Sequence, residues 1–231
     1  MATKKGTQLN RAQLAALIDH TKLGPVVLPD QLKTLCDEAQ QYGFASVCVP
    51  SNGVALAREH LRGSAVDVCA VIGFPHGAHL SSVKAFEAQK ALEDGASELD
   101  MVINVAALKS HDYRAAYEDV HAVCVVAHRP PEPARVKVIL EMGLLSEEEK
   151  VAGCIVAASA GADYVKTSTG FGPSGATVED VALMRRVVGE NVGVKAAGGI
   201  KTLEHALAMV EAGANRLGAS AGVAIVGALD A

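Results

Sequence analysis

The chain has 231 residues, half of them hydrophobic but only 3% aromatic, and a formal net charge of −5. This composition suits one compact domain with a core of Ala, Val, Leu and Ile, and the acidic balance argues against a nucleic-acid-binding protein. The first ten residues lack the apolar stretch of a secretory signal, and no run approaches the roughly 20 apolar residues that span a membrane. We therefore expect a cytoplasmic protein with no membrane partner.

The cysteines point to the same compartment. Five are present, an odd number, and they form neither a CxxC motif nor a zinc-type spacing with histidine. We interpret them as reduced, small hydrophobic residues rather than a disulfide framework or a metal site.

Short β-branched runs alternate with amphipathic helical stretches along the whole chain. The segment RAQLAALIDHTKLG predicts a helix that leads into a first strand at residues 20–23. Seven further strands are predicted at residues 44–49, 66–73, 98–104, 136–141, 164–169, 193–198 and 216–220. The intervening stretches, such as TLEHALAMVEAG, begin at Ser or Thr and end at Gly, as helices do.

The handover from helix to strand recurs as a phrase, in QYGFASVCV, EDGASELDM, SAGADYVKT and EAGANRLGA. Eight strand–helix units of about 29 residues favour a (β/α)8 TIM barrel, an α/β fold of about 250 residues. We expect residues 1–231 to form this single domain, with a short N-terminal helical extension. An open doubly wound sheet is less favoured, because no GxGxxG motif follows the first strand.

Charged residues interrupt four of the predicted strands. They are Asp100, Lys137 with Glu141, Lys166 and Lys195. Strands of a parallel barrel are covered on both faces, and a buried charge costs several kcal/mol unless it is paired. The two-residue period places these groups on the inner face, where we expect them to neutralise one another. Lys137 and Glu141 are expected to form an ion-pair network there that positions the lysines, and no chemistry is assigned to them.

Two interior lysines, Lys166 and Lys195, fall on neighbouring strands. An ammonium group becomes a useful nucleophile only when it loses its proton near neutral pH, and both burial and a second nearby cation favour the neutral amine. The pair therefore suggests an imine-forming lysine and its electrostatic neighbour. For either lysine alone, a structural ion pair with an acid such as Asp100 explains the sequence equally well.

Strands 6, 7 and 8 each end in a glycine-rich segment, at residues 168–172, 196–202 and 217–222. Backbone N–H groups in such turns bind phosphate, and the loops after strands 7 and 8 are the usual phosphate site of this fold. Glycines that merely permit tight turns are the alternative. Their clustering after three consecutive strands favours phosphate.

These motifs together resemble a known family. GADYVKTSTGF, VGVKAAGGIKT, ELDMVINVAAL, IDHTKL, GFPHG and RLGASAG are similar to the motifs of deoxyribose-phosphate aldolases, class I aldolases built on a (β/α)8 barrel. The resemblance extends from about residue 15 to 225. It implies reversible cleavage of 2-deoxy-D-ribose 5-phosphate to acetaldehyde and D-glyceraldehyde 3-phosphate, with no metal or other cofactor.

The resemblance also implies residue roles. Lys166 matches the Schiff-base lysine, Lys195 its electrostatic neighbour, and Asp100 the acid that works with Lys195 and a water in proton transfer. Positions that line the substrate pocket match Asp19, Thr21 and Cys48. Phosphate contacts match Gly170, Gly198, Gly199, Gly218, Ser220 and Lys201. The resemblance further implies a homo-oligomer, with a dimer expected.

Three positions depart from some members of the family. Ala221 stands where some carry a second serine, and Phe171 stands where some carry a lysine. The sequence ends in GALDA, without the C-terminal tyrosine that reaches the active site in longer relatives. These differences bear on affinity and rate more than on the type of reaction.

Two other functions fit the same residues. One is a different imine-forming aldolase or a phosphosugar isomerase, because this fold supports many chemistries. The other is a phosphosugar-binding protein without catalysis, in which both lysines are structural. His76 and His20 are expected to shape the structure or the pocket rather than to catalyse.

Overall fold

Eight parallel strands pair with their neighbours in chain order and close into a barrel. The structure, a computed structural model, describes residues 9–129 and 131–229. The strands are β1 (Ile18–Thr21), β2 (Ser46–Val49), β3 (Asp67–Ile72), β4 (Glu98–Val102), β5 (Arg135–Ile139), β6 (Tyr164–Lys166), β7 (Gly193–Ala197) and β8 (Arg216–Ala219). The predicted (β/α)8 barrel is thus confirmed.

Helices follow the strands around the outside of the barrel. They are α1 (Arg11–Ala15), α2 (Pro29–Tyr42), α3 (Val54–His60), α4 (Ser81–Glu93), α5 (Val105–Lys109), α6 (Tyr113–Ala127), α7 (Glu147–Ser159), α8 (Val178–Val188), α9 (Leu203–Glu211) and α10 (Gly222–Gly227). The predicted N-terminal helix corresponds to α1, and residues 1–8 lie outside the described part of the chain. Within the described ranges, no helix combines the length and apolar character needed to span a bilayer.

The recurring helix-to-strand phrase has one backbone conformation. Its glycines have positive φ angles, at Gly43 (70°), Gly95 (104°), Gly161 (103°) and Gly213 (115°). A side chain is disfavoured in that region, so glycine lets the chain reverse from each helix into the next strand. Ser146 and Thr202 cap the opposite ends of α7 and α9, whereas α2 and α4 begin at Leu28 and Leu80 without a side-chain cap, contrary to the Ser that the sequence predicts for α4.

Alternate residues of each strand face the helices and form a continuous apolar core. Val47, Leu99, Met101 and Val165 are fully buried in it. The residues between them face the barrel interior, which holds the charged groups predicted from the sequence. This alternation confirms the assignment of Asp100 to the inner face, with Leu99 and Met101 on the outer one.

Some strand boundaries differ from prediction. The first strand spans Ile18–Thr21 rather than residues 20–23, because Asp19 pairs with Ser46 on β2 and with Gly218 on β8. The sixth strand ends at Lys166 rather than residue 169, and the fifth at Ile139 rather than 141. In both cases the last predicted residues belong to loops at the carboxyl end of the barrel, where active sites of this fold lie.

Candidate active site

Lys166 and Lys195 lie side by side within the barrel. They are register partners on β6 and β7, so both side chains emerge at one level. Asp100 projects from β4 toward them, and its register partner on β5 is Lys137. The fold thus brings together the three residues predicted to be catalytic.

The carboxylate of Asp100 joins the two lysines. Its Oδ2 accepts hydrogen bonds from Lys166 Nζ at 2.6 Å and from Lys195 Nζ at 2.7 Å. Its Oδ1 accepts a hydrogen bond from Lys137 Nζ at 2.9 Å. Each oxygen therefore has its own cations, and the predicted nucleophile shares an acceptor with its neighbour.

A second layer of charge lies deeper in the barrel. Asp19 accepts hydrogen bonds from Lys195, from Arg216 at 2.9 Å and from the Ser46 hydroxyl at 2.7 Å. Glu98 pairs with Lys137 at 2.7 Å and with Arg216 at 2.9 Å. These contacts fix the lower ends of the interior side chains from several strands at once.

The buried charges on the inner face of the described strands include one more cation than anions. Three carboxylates (Asp19, Glu98, Asp100) face four basic groups (Lys137, Lys166, Lys195, Arg216), all buried. Lys166 contacts one carboxylate, whereas Lys195 contacts two and Lys137 three. Lys166 is thus the amine whose loss of a proton would disturb the fewest ion pairs.

The interior electrostatics support ionised acids beside cations. Burial by itself raises the pKa of the Asp100 carboxyl, but the three ammonium groups around it outweigh this effect and hold the pKa well below its usual value. Burial lowers the pKa of Lys195, but the carboxylates of Asp100 and Asp19 more than reverse this and raise it. Asp100 therefore remains ionised and Lys195 remains cationic around neutral pH.

Two thiols flank Asp100 from β2 and β3. Cys69 Sγ lies 3.1 Å from Oδ1 and Cys48 Sγ lies 3.9 Å from Oδ2. A hydrogen bond with Cys69 lowers the pKa of the Cys48 thiol, whereas burial raises the pKa of Cys69 well above its usual value. These three groups could supply metal ligands. The ammonium groups already on Asp100 make the position unfavourable for a cation. All five cysteines of the chain are free and buried.

An open cleft of about 370 Å³ lies at the carboxyl end of β1, β6, β7 and β8. The predicted residues that line it are Thr21, Lys166, Gly170, Gly198, Gly199, Lys201, Gly218 and Ser220. Lys166 is at its floor and only 3% exposed, and the glycine loops form the opposite wall. A ligand in this cleft can therefore contact the amine at one end and backbone N–H groups at the other.

Glycine is required at several of these positions. Gly170, Gly198 and Gly199 have φ angles of 86°, 94° and 75°. A Cβ on Gly218 would lie 2.9 Å from Cβ of Ala197 and 3.1 Å from Cε of Lys195. Gly218 thus makes room for the Lys195 side chain as well as lining the cleft.

Two residues predicted to bind substrate lie beneath the cleft rather than in its wall. Asp19 is fully buried in the deeper charge layer, and Cys48 is fully buried beside Asp100. The histidines also lie apart from the lysine pair: His20 bonds to Glu38 at 2.7 Å, and His76 lines a separate small cavity.

The expected ion-pair network forms around Lys137 but not around Glu141. In the described part of the chain, Glu141 has no salt-bridge partner, and it accepts hydrogen bonds from the backbone and hydroxyl of Thr169 instead. The physical reason is that Glu141 lies beyond the end of β5, with a φ of 56°, so its side chain reaches the loop after β6. It supports the glycine loop rather than the interior charges.

Phe171 separates the glycine-lined cleft from an apolar one. Its ring packs edge-on against Phe74, with centroids 5.4 Å apart. The apolar cleft, of about 380 Å³, includes Leu23, Val71 and Phe74 in its wall. Phenylalanine at this position therefore places an apolar partition where a lysine could have contacted phosphate.

Sequence reasoning did not identify Glu98 and Arg216 as part of the site. Both lie at strand starts, where a charged residue is ordinarily solvent-exposed at the junction with the preceding helix. The available signal was the two-residue period, which puts Glu98 on the face of Asp100 and Arg216 on the face of Gly218. Their contact spans the barrel from β8 to β4 and is invisible in local sequence.

Two proteins with similar sequences are both named deoxyribose-phosphate aldolase. The chain is 59% identical over 215 residues to the deoxyribose-phosphate aldolase of Thermococcus gammatolerans, covering 92% of this chain and 95% of that protein. It is 56% identical over 220 residues to the deoxyribose-phosphate aldolase of Thermococcus kodakarensis, covering 94% and 97%.

Solved structures agree in fold. The tetrameric deoxyribose phosphate aldolase of Aeropyrum pernix superposes with a TM-score of 0.88 at 33% identity, over 96% of this chain and 93% of that one. A family model described as DeoC/LacD family aldolase matches residues 13–228. The chain therefore belongs to the DeoC/LacD family of aldolases.

Proposed function

We propose that the chain reversibly cleaves 2-deoxy-D-ribose 5-phosphate to acetaldehyde and D-glyceraldehyde 3-phosphate through a Schiff base on Lys166. The observation that carries this proposal is the shared oxygen of Asp100, with Lys166 at 2.6 Å and Lys195 at 2.7 Å, below a glycine-lined cleft. A nucleophile, a proton acceptor and an anion-binding wall are the groups that this reaction needs.

The first half of the reaction forms the imine. The neutral amine of Lys166 attacks the C1 aldehyde of the open-chain sugar, and the resulting carbinolamine loses water to give an iminium ion. Asp100, with Lys195 and a water, moves the protons that this step requires. The excess cation in the interior favours this assignment, because a neutral Lys166 leaves the remaining buried charges balanced.

The second half breaks the bond between C2 and C3. Removal of the proton from the C3 hydroxyl releases D-glyceraldehyde 3-phosphate, and the electron pair of the broken bond passes into an enamine on Lys166. Protonation at C2 restores the iminium ion, and water releases acetaldehyde and the free amine. Asp100 is the proposed proton carrier, because its Oδ2 lies against Lys166 and Lys195.

The phosphate end is assigned to the glycine loops. Gly170, Gly198, Gly199 and Gly218 would offer backbone N–H groups, while Ser220 and Lys201 would add a hydroxyl and a charge. The protein as a whole is acidic, so this anion must be held locally. Thr21 lines the same cleft, and Asp19 and Cys48 would act from beneath it.

We further propose that the chain functions as a cytoplasmic homodimer. Five free, buried cysteines suit a reducing compartment. Leu80, Val83 and Phe86, at the start of α4, are 73%, 46% and 64% exposed. An apolar patch of this kind is typical of an interface between copies of a chain.

The activity is tested by incubating the purified protein with 2-deoxy-D-ribose 5-phosphate and measuring acetaldehyde and D-glyceraldehyde 3-phosphate separately. We expect equal amounts of both products, and loss of both in Lys166→Met. Conversion to an isomeric sugar phosphate, or release of a different aldehyde, would point to another reaction on the same barrel. Binding without turnover would point to a binding protein.

A further inference from the structure

We propose that Lys137 is a positioning residue for Asp100: by holding Oδ1 it keeps the carboxylate ionised and leaves Oδ2 free for the two lysines above. This inference rests on the proposed function and extends it to a residue that does not reach the substrate cleft. It assigns a catalytic consequence to a side chain that would otherwise count only as part of a buried ion-pair network.

The two carboxylate oxygens of Asp100 contact different lysines. Lys137 is fully buried, and its Nζ lies 2.9 Å from Oδ1, on the opposite side of the carboxylate from Lys166 and Lys195. Lys137 and Asp100 are register partners on adjacent strands, so the contact is set by the sheet rather than by a flexible loop. A carboxylate held at one oxygen presents the other in a constant direction.

Lys137 itself is held from below. Its Nζ lies 2.7 Å from Glu98 Oε2 and 3.6 Å from Asp19 Oδ2. Burial lowers the pKa of Lys137, but the surrounding acids reverse this effect and raise it well above the usual value. The lysine therefore remains charged across the pH range in which an aldolase operates, and it is not a candidate nucleophile.

The charge balance explains why this cation matters. When Lys166 is neutral, three buried carboxylates face Lys137, Lys195 and Arg216, which is an even balance. Removing Lys137 leaves one carboxylate in excess. Asp19 would still be contacted by Lys195 and Arg216, and Glu98 by Arg216 and Arg135. Asp100 would keep Lys195 as its one charged partner while Lys166 is neutral. We therefore expect the pKa of Asp100 to rise.

Each of the eight strands contributes a titratable group to the surroundings of Asp100. They are Asp19 (β1), Cys48 (β2), Cys69 (β3), Glu98 (β4), Lys137 (β5), Lys166 (β6), Lys195 (β7) and Arg216 (β8). Among these, Lys137 is the cation that approaches Asp100 from the side away from the cleft. Its removal therefore changes the state of Asp100 without removing a group that touches substrate.

The test is the pH profile of kcat/KM for cleavage of 2-deoxy-D-ribose 5-phosphate. Activity that needs ionised Asp100 is lost as pH falls through the pKa of Asp100, and loss of a cation raises that pKa. For Lys137→Met we expect the acid limb to move up by about one pH unit or more. We also expect kcat to fall about tenfold or more at its optimum, because Oδ2 is no longer held in a constant direction.

The double variant K137M/E98Q separates this role from a structural one. It removes one buried cation and one buried anion together, so its fold is expected to tolerate the change better than the single variant does. Glu98→Gln alone keeps Lys137 against Asp100 and is the reference. We expect K137M/E98Q to match Glu98→Gln in thermal unfolding but to have its acid limb about one pH unit higher.

A matched control removes a different contact of Asp100 Oδ1 without removing a charge. Cys69→Ala removes the thiol that donates to Oδ1 at 3.1 Å and accepts from Lys137 Nζ at 3.3 Å. It keeps the charge of Lys137 and its ion pairs with Asp100 and Glu98, so its acid limb should move by less than about 0.3 pH unit. Equal profiles for K137M/E98Q and Glu98→Gln, or an equal shift in Cys69→Ala, would overturn the proposal. Either result would leave the proposed activity intact, because wild-type product release is measured separately.

Discussion

Lys195 shares Oδ2 of Asp100 with Lys166, the proposed nucleophile. Lys195→Leu would leave Oδ2 of Asp100 to Lys166 alone and would remove the cation expected to activate the nucleophile. We expect kcat/KM to fall by about a hundredfold or more, equivalent to about 3 kcal/mol of transition-state stabilisation. Steady-state kinetics with 2-deoxy-D-ribose 5-phosphate measure this effect.

Folding of that variant is checked by circular dichroism, because Asp19 also loses a partner. A folded Lys195→Leu protein with kcat/KM within a factor of about three of wild type would contradict the role of the shared oxygen.

Among individual residues, the interior positions of the lysines and Asp100 could be predicted, because charged residues are uncommon in strands that are covered on both faces. Glu98 and Arg216 could not, because charged residues at strand starts are ordinary. The sequence pattern grouped Glu141 with Lys137, yet its φ of 56° turns it toward Thr169. The two-residue period of a strand does not reveal that one residue, Glu141, adopts a left-handed backbone conformation.

The loop after β6 depends on one hydroxyl. Thr169 donates to Glu141 and accepts from the backbone N–H of Phe171 at 3.0 Å, so its side chain fixes the backbone on both sides of Gly170. Thr169→Val should raise KM for 2-deoxy-D-ribose 5-phosphate about tenfold, because the phosphate-facing turn loses two hydrogen bonds.

Unphosphorylated 2-deoxy-D-ribose is the control substrate, since it makes no use of a phosphate site. Its kcat/KM should change much less in Thr169→Val. An equal loss for both sugars would show that the hydroxyl supports the whole cleft instead of the phosphate end.

Strand β8 needs a glycine for packing. In Gly218→Ala the new methyl group would meet Ala197 and Lys195, so we expect a loss of about 1–3 kcal/mol in the free energy of unfolding, together with impaired activity. Gly227→Ala in α10 is the matched control: a methyl group there would have no neighbouring atom within 4 Å, and stability should change little or rise. Chemical denaturation compares the two.

A Gly218→Ala protein as stable and active as Gly227→Ala would mean that the Lys195 side chain can move aside freely. That result would remove the steric argument for glycine at this position.

Among the secondary-structure elements, the order and type of the strands followed from periodicity, but their ends did not. The first strand begins two residues earlier than predicted because its pairing with β2 and β8 fixes its position. The sixth strand stops at Lys166, since the following residues turn into the loop that carries Gly170. Pairing and loop geometry are long-range properties that a local pattern does not contain.

In the barrel as a whole, closure of eight strands is what makes distant residues neighbours. Arg216 and Glu98 are 118 residues apart in sequence and 2.9 Å apart in space. Closure was predicted from the repeated helix-to-strand phrase together with eight strand–helix units of about 29 residues and the absence of a GxGxxG motif. The identity of the reaction required the family resemblance, since the fold alone supports many chemistries.

Assembly is likewise a property of the entire chain. If the patch of Leu80, Val83 and Phe86 forms the proposed dimer interface, then Phe86→Glu should yield monomers in size-exclusion chromatography with light scattering. Lys90→Glu, on the same helix, is a charge-changing control that should remain dimeric. A wild-type monomer, or a dimer unaffected by Phe86→Glu, would contradict this assignment.

The covalent intermediate offers the sharpest test of whether Lys166 is the Schiff-base nucleophile. The protein is treated with borohydride in the presence of acetaldehyde, digested and mapped by peptide mass spectrometry. We expect an ethyl group on Lys166, with much less of it in Lys195→Leu. No adduct, or an adduct confined to another lysine such as Lys195 or Lys201, would show that the nucleophile has been wrongly assigned.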